Sequence, residues 1–387
     1  RPAIMVMTWL HPDGAPDVLT RPVEIADDWD RAANAIGWSA DGRSLLALAA
    51  DHAQVRLFSI DVRSGAVRPL TGDGTVSAWE VAGDRIVYLR DDATGPAQLY
   101  SIPASGGAER RLTDHNAALL ATIEMGAYEP FTFTGWNGEE VQGYVYKPAG
   151  YVEGRRYPVA HLIHGGPKSP FTNTFGYRWN PQVYAGAGYG VVWINFHGSP
   201  GYSQAFTDSI NSHWGDRPLE DLQKGWAAAL AANPWLDERR ACALGASYGG
   251  YMVNWMASQW NGPWRCLVNH AGVFDVPQMM GAMDISWFVS EFGGHPSQVP
   301  QTYAAFNPGD HINRWTRPML VIHGGRDFRV PLEQSLRTFN ALQFRGLPSR
   351  FVYAPDENHW ILKPRNSVRW QEEILGWLDE WTGAAAP

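Results

Sequence analysis

Only two cysteines, Cys242 and Cys266, occur in the 387 residues. So few exclude a disulfide-stapled scaffold, and neither sits at metal-ligand spacing, which excludes a zinc ribbon or finger. Each lies in or beside an apolar run, ACALGAS and RCLVNH. Unpaired cysteine behaves as a small buried hydrophobe, so two structural thiols are expected rather than a disulfide. Cysteine usage therefore does not indicate the compartment.

No apolar run reaches the roughly 18 residues needed to cross a bilayer. No signal-peptide pattern is visible, but the chain opens at Arg1 rather than Met, so any targeting segment is expected outside this sequence. Positive charge is also short. Against 39 Asp and Glu stand 31 Lys and Arg, a formal net charge of −8. Nucleic-acid binding wants a basic face, so neither a nucleic acid nor a membrane is expected as partner. What is abundant is core material. Hydrophobic residues make up 45% of the chain, which argues for a packed interior and against disorder. The 19 Trp are expected to fill core and domain-interface volume, with a few free to wall an apolar pocket.

The length suggests two domains, and the chain has two grammars. The first is a repeat. Ile4 to Thr20 ends in GAPDVLT, Arg56 to Thr71 reads RLFSIDVRSGAVRPLT, and Gln98 to Thr113 reads QLYSIPASGGAERRLT. Each holds an alternating strand, a Gly-containing turn, a second short strand and a closing Leu-Thr. WSADGRSLLALAA and VAGDRIVYLR between them read as further hairpins on Asp-Gly or Gly-Asp turns. The Leu-Thr marks recur every 40–50 residues or so, about the period of a four-stranded propeller blade. Residues 1–125 are accordingly expected to form part of a β-propeller. Closed propellers need about 4–8 blades, so the remaining blades are expected upstream. A β-sandwich with coincidental turns is the alternative.

From about Glu124 the pattern changes, and residues 126–387 are expected to form a second domain. After the hairpin FTFTGWNGEEVQGYVYKP, the runs VAHLIH, YGVVWINF, ACALGAS, RCLVNHAG, PMLVIHG and SRFVYAP read as strands. They are nearly continuous in apolar residues, as buried parallel strands are. Segments of helical spacing separate them, including LEDLQKGWAAALAANP and YMVNWMASQW, and a last helix spans roughly Ser367 to Trp381. This alternation predicts an α/β fold, a mostly parallel doubly wound sheet with helices on both faces.

Gly245-Ala246-Ser247-Tyr248-Gly249 is a G-x-S-x-G motif placed between a strand and a helix. That setting defines a nucleophile elbow, where a tight turn lifts the serine clear of the sheet beside a helix N-terminus. A neutral hydroxyl needs a base, and the α/β-hydrolase order is serine, acid, histidine. Asp327 in VIHGGRDFRVP and His359 in PDENHW both follow strands, at the carboxyl ends where such sheets build sites. Asp327 is read as the acid that orients the base His359. Asp356 and Glu357 are expected to shape the histidine loop, and His270 and His323 to pack or hydrogen-bond at their strand ends. Two backbone amides should hold the oxyanion. Tyr248, next to the nucleophile, is one, and Gly166 of His164-Gly165-Gly166-Pro167 is the favoured second.

Together these residues resemble the prolyl oligopeptidase family of serine peptidases, in which a propeller caps a C-terminal α/β-hydrolase domain. HGGP at 164–167, WGDRPLEDL at 214–222, LGASYGGYM at 244–252, LVNHAGVFD at 267–275, VIHGGRDFRVP at 321–331 and PDENHWILKP at 355–364 look like its dipeptidyl-peptidase and acylaminoacyl-peptidase members. The resemblance implies the triad Ser247, Asp327 and His359 and the oxyanion donors Tyr248 and Gly166. It also implies a substrate-contacting Arg329 and an apolar S1 pocket walled by Val273, Phe274, Trp287 and Val330. It departs at His197-Gly198-Ser199, where relatives often read Arg-Gly-Ser, which puts that loop's geometry in question.

The activity implied is release of dipeptides from unblocked N-termini of oligopeptides, with an apolar or Ala residue before the cut. No metal or organic cofactor is implied. An acylaminoacyl peptidase or oligopeptidase with the same triad is the near alternative. A carboxylesterase, and a non-catalytic binding protein on the same scaffold, stand further off. A homodimer is left open. Relatives of this type suggest a periplasmic location, with the cytoplasm as alternative.

Overall fold

The computed structural model describes residues 3–11, 13, 18–282 and 285–383. The chain divides into two compact units. The first comprises Arg1–Thr122 with the short segments Thr172–Gly176 and Pro200–Ala205, and the second comprises the rest.

The first unit is propeller-like, and its strand pairs are antiparallel apart from one parallel bridge, Val55 to Thr75, between the two meanders. Ala33–Trp38, Ser44–Asp51, Gln54–Asp61 and Val67–Pro69 form one four-stranded meander. Thr75–Ala82, Arg85–Asp92, Gly95–Pro103 and Arg110–Arg111 form a second. The Leu-Thr repeat has a physical cause in this arrangement. In each copy the threonine hydroxyl accepts a backbone N–H across the ladder: Thr20 from Thr8 at 2.8 Å, Thr71 from Leu57 at 3.1 Å and Thr113 from Leu99 at 2.9 Å. The hydroxyl thus satisfies a donor where the short last strand ends. The first copy's turn, Gly14 to Asp17, lies outside the described residues. Leu46, Leu57, Val76, Ile86 and Ile102 are among the buried side chains between the meanders' strands.

The strands of the second unit are labelled β1 Tyr128–Thr134, β2 Glu140–Tyr146, β3 Tyr157–Ile163, β4 Gly190–Asn195, β5 Leu236–Ala246, β6 Trp264–His270, β7 Met319–Gly324 and β8 Ser349–Ala354. They form one eight-stranded sheet in the order β1-β2-β4-β3-β5-β6-β7-β8. The β1–β2 and β2–β4 pairs are antiparallel and the rest parallel. β3, β4 and β7 are buried at every residue, which is why their sequences show no polar alternation. The helices used below are α1 Pro181–Gly186, α2 Arg217–Ala232, α3 Tyr248–Gln259, α4 Ile285–Phe292, α5 Leu332–Phe344 and α6 Pro364–Thr382. Among the described residues, no helix is long and apolar enough to cross a membrane.

The cysteine expectation is corrected. Cys242 and Cys266 are bonded to each other, with Cα atoms 4.8 Å apart. They are register partners on the neighbouring parallel strands β5 and β6, at a separation that a disulfide spans. Burial was anticipated correctly, but strand order and register, which create the pairing, were not visible in either local run.

Candidate active site

The G-x-S-x-G segment makes the turn from β5 into α3. Ser247 has φ 59° and ψ −120°, a strained conformation for a residue with a Cβ. Its glycines are forced by contact. A Cβ on Gly249 would lie 2.2 Å from the Ile163 carbonyl oxygen, and one on Gly245 would lie 2.4 Å from Gly249. The backbone holds the turn as well, since Ser247 N–H donates to the His270 carbonyl at 2.9 Å and the Ser247 carbonyl accepts from Tyr251 N–H at 2.9 Å.

Asp327 and His359 follow β7 and β8 and meet. His359 Nδ1 lies 2.6 Å from Asp327 Oδ2, and both side chains are buried. Asp327 Oδ1 accepts the N–H groups of Arg329 and Val330, each at 2.9 Å. These bonds stabilise the carboxylate and fix its orientation. An imidazole that donates through Nδ1 presents Nε2 as the acceptor, the tautomer a general base needs. Ser247, His270, Asp327 and His359 thus sit at the carboxyl ends of β5 to β8, four neighbours in one sheet. Among the described residues no hydrogen bond joins Ser247 Oγ to His359, and such bonds commonly tighten only when substrate is bound.

Of the other described acids and histidines, His323 alone also approaches Asp327, its Nε2 lying 3.5 Å from Oδ2, farther than His359. Glu357 accepts the N–H groups of Leu362 and Lys363, and Asp356 pairs with Lys363, so both brace the histidine loop. His323 contacts Ser335 Oγ at 2.7 Å and the Val330 carbonyl at 3.0 Å. Burial lowers its pKa. His270 packs near Trp179 and Trp370. Burial, with the nearby His359 and His323 adding to it, holds its pKa well below the ordinary value, so it stays neutral.

Gly166 and Tyr248 carry the candidate oxyanion donors. Tyr248 opens α3, and the first N–H groups of a helix have no intrahelical partner. Its phenol donates to the Trp214 carbonyl at 2.6 Å, which anchors the ring. Gly166 has φ 112°, in the region that favours glycine. Its loop is propped by His164, whose Nε2 lies 2.9 Å from Ser199 Oγ and whose ring stacks on Phe196 at 4.0 Å. Burial lowers the His164 pKa to about 4, so this prop is neutral near pH 7.

The His197-Gly198-Ser199 loop is well anchored despite its departure from the family pattern. Asp221 Oδ2 accepts the His197 N–H at 2.7 Å and lies 2.6 Å from His197 Nδ1, while its Oδ1 accepts from Trp136 N–H at 2.7 Å.

Beside Ser247 lies a small recess of about 20 Å³ lined by Gly166, Trp214, Ser247, Tyr248, Val273, Met279, Trp287, Phe288, Arg329 and Val330. Val273, Trp287, Arg329 and Val330 line this recess together with Ser247. Phe274 does not. It packs edge-on against Trp315 at 5.9 Å, and its N–H donates to Gln334, so the chain has already turned away after Val273. Trp214, Met279 and Phe288 are walls that sequence reasoning missed. The aromatic run of α4 was the signal available for Phe288.

The fold and this constellation define the α/β-hydrolase class. A model of the prolyl oligopeptidase family matches residues 175–385, more than half of the chain, and the protein belongs to that family. It is 35% identical over 364 residues to dipeptidyl-peptidase 5 of Schizosaccharomyces pombe, covering 92% of this chain and 53% of that one. It is 35% identical over 374 residues to dipeptidyl-peptidase 5 of Trichophyton schoenleinii, covering 94% and 51%. Among solved structures, it matches an acylaminoacyl peptidase in complex with Z-Gly-Gly-Phe-chloromethyl ketone with a TM-score of 0.87 and 25% identity, over 100% of this chain and 64% of the other. The acylaminoacyl peptidase of Pyrococcus horikoshii matches with a TM-score of 0.84 and 25% identity, over 97% and 62%. The chain spans about half the length of the curated relatives it matches.

Proposed function

We propose that the protein is a serine peptidase that releases dipeptides from the unblocked N-termini of oligopeptides. The observation that carries the serine-peptidase part of this reading is the 2.6 Å contact between His359 Nδ1 and Asp327 Oδ2, with Asp327 two strands from the strained Ser247 turn. Ser247 Oγ attacks the scissile carbonyl while His359 Nε2 takes its proton. The amides of Tyr248 and Gly166 hold the resulting oxyanion. The amine departs with the proton from His359, and water then frees the acyl-enzyme. The apolar recess receives the side chain before the cut, and its small free volume favours Ala over a large residue. Two dipeptidyl-peptidase 5 relatives at 35% identity support the exopeptidase choice.

An acylaminoacyl-peptidase activity is the second reading, supported by the structural match at a TM-score of 0.87. Chromogenic amides of free and N-acetylated dipeptides, offered to the protein side by side, separate the two. Cleavage of the free form is expected, and turnover of the blocked form alone would overturn the dipeptidyl assignment. No turnover of either, with Ser247 unreactive to a fluorophosphonate, would remove the peptidase reading itself.

A further inference from the structure

The ion pair between Lys168 and Glu291 lies between two parts of the candidate site. Glu291 is 3% exposed and lies 2.5 Å from Lys168 Nζ. A carboxylate so far from water is costly unless paired. Its second oxygen lies 3.4 Å from Trp214 Nε1, and Lys168 also donates to Asn211 Oδ1 at 2.7 Å. These contacts join segments that are 123 residues apart in sequence.

Each end of the pair is attached to something the reaction uses. Lys168 follows Gly166 by two residues in a tightly folded loop. A Cβ on Gly166 would lie 2.8 Å from the amide nitrogens of both Lys168 and Ser169. The Lys168 backbone therefore cannot shift far without moving Gly166. Glu291 lies one turn along α4 from Trp287 and Phe288, so the three share a side of the helix. Both aromatics wall the recess. Trp214 packs on the α4 end, touching Glu291 while its ring lies 5.9 Å from Trp287 and 5.6 Å from Phe288, and it lines the same recess as Gly166.

We propose that Lys168 and Glu291 are positioning residues that couple occupancy of the recess to the placement of the Gly166 amide. A side chain that fills the recess presses on α4 and Trp214, and the ion pair passes that constraint to the loop. Binding energy at the recess is thereby expressed in the transition state, where the amide must meet the oxyanion, rather than in ground-state binding. The inference rests on the reading of Ser247 as nucleophile and of the recess as the pocket for the residue before the cut. Neither Lys168 nor Glu291 touches the reacting atoms.

The test is steady-state kinetics on Ala-Gly, Ala-Ala and Ala-Val p-nitroanilides with wild type, Glu291→Gln, Lys168→Met and Lys168→Arg. Thermal melting and fluorophosphonate labelling of Ser247 report whether each variant is folded with its nucleophile intact. In wild type, kcat should rise about tenfold or more from Gly to the best-fitting residue, with KM nearly constant. In folded Glu291→Gln and Lys168→Met, kcat on the best substrate should fall about tenfold and vary less than about threefold across the series, while KM stays within about threefold of wild type. Lys168→Arg, which keeps the charge, should restore the dependence. Retention of the wild-type kcat pattern in either neutral variant, or a loss expressed only in KM, would overturn the coupling. A wild type that cleaves none of the reporters and leaves Ser247 unlabelled would instead overturn the underlying reading, and the coupling with it.

Discussion

The two units solve the problem of covering a sheet in different ways. In the second, helices flank the sheet, and β3, β4 and β7 are buried along their whole length. In the first, the meanders bury a cluster around Leu46, Leu57 and Ile86. Yet between Met5 and Trp38, Met5, Met7, Trp9, Leu10, Val18, Leu19, Val23, Ile36 and Trp38 are all exposed. An antiparallel meander satisfies its backbone through its own ladder but relies on other layers to cover its faces. An α/β sheet brings its cover with it in the connecting helices. Candidate chemistry accordingly resides in the unit whose core is complete, because a strained turn and a buried Asp-His contact persist only where surrounding packing over-determines them.

On that contrast, the substitutions that change chemistry fall in the second unit, while those in the first change stability alone. The largest effect is expected from Ser247→Ala, which should lower kcat on a dipeptide amide by roughly 10⁴-fold or more. Asp327→Asn should cost about 10³- to 10⁴-fold in kcat with little change in the melting curve, because the His359 ring then settles in the wrong tautomer. A smaller effect separates a recess wall from a core residue. Trp287→Ala should widen the preference at the residue before the cut, shifting relative kcat/KM toward large side chains by about tenfold. Phe274→Ala should leave that preference alone and cost about 3 kcal/mol of stability, read by denaturant melts.

Acid should act on the second unit through its buried histidines. His161 and His164 have pKa values lowered to about 4 from the ordinary 6.5 by burial. The unfolded chain therefore binds more protons than the folded one between these values. The stability they contribute is complete above pH 6.5 and is lost as pH falls toward 4. Thermal melts across that range should show the decline, and His161→Phe should flatten it. The smallest effect belongs to the first unit. Thr71→Ala leaves the buried Leu57 N–H without its acceptor and should cost about 1–2 kcal/mol there. Its kcat should match wild type, and a large fall would break the contrast.

Much of this was readable from local sequence. The Leu-Thr repeat was visible because one threonine hydroxyl does the same task in each copy. The serine turn was visible because its steric demands fall on adjacent residues, so the glycines at 245 and 249 appear in the motif itself. Asp327 and His359 were readable from strand order, since each directly follows an apolar run. What escaped notice depends on how distant segments register. The Cys242–Cys266 bond needs β5 beside β6 in one alignment. The turn after Val273 decides that Phe274 faces Trp315 while Met279 and Phe288 reach the recess. The Lys168–Glu291 pair joins a loop to α4, 123 residues apart, which no local pattern connects.

The most direct test of the account is the rate of fluorophosphonate labelling, with the adduct located by mass spectrometry, in wild type, Asp327→Asn and His359→Ala. A single adduct on Ser247 is expected, with the labelling rate reduced about 10³-fold or more in both variants. An adduct on another residue, or undiminished labelling of Ser247 in the folded variants, would contradict it.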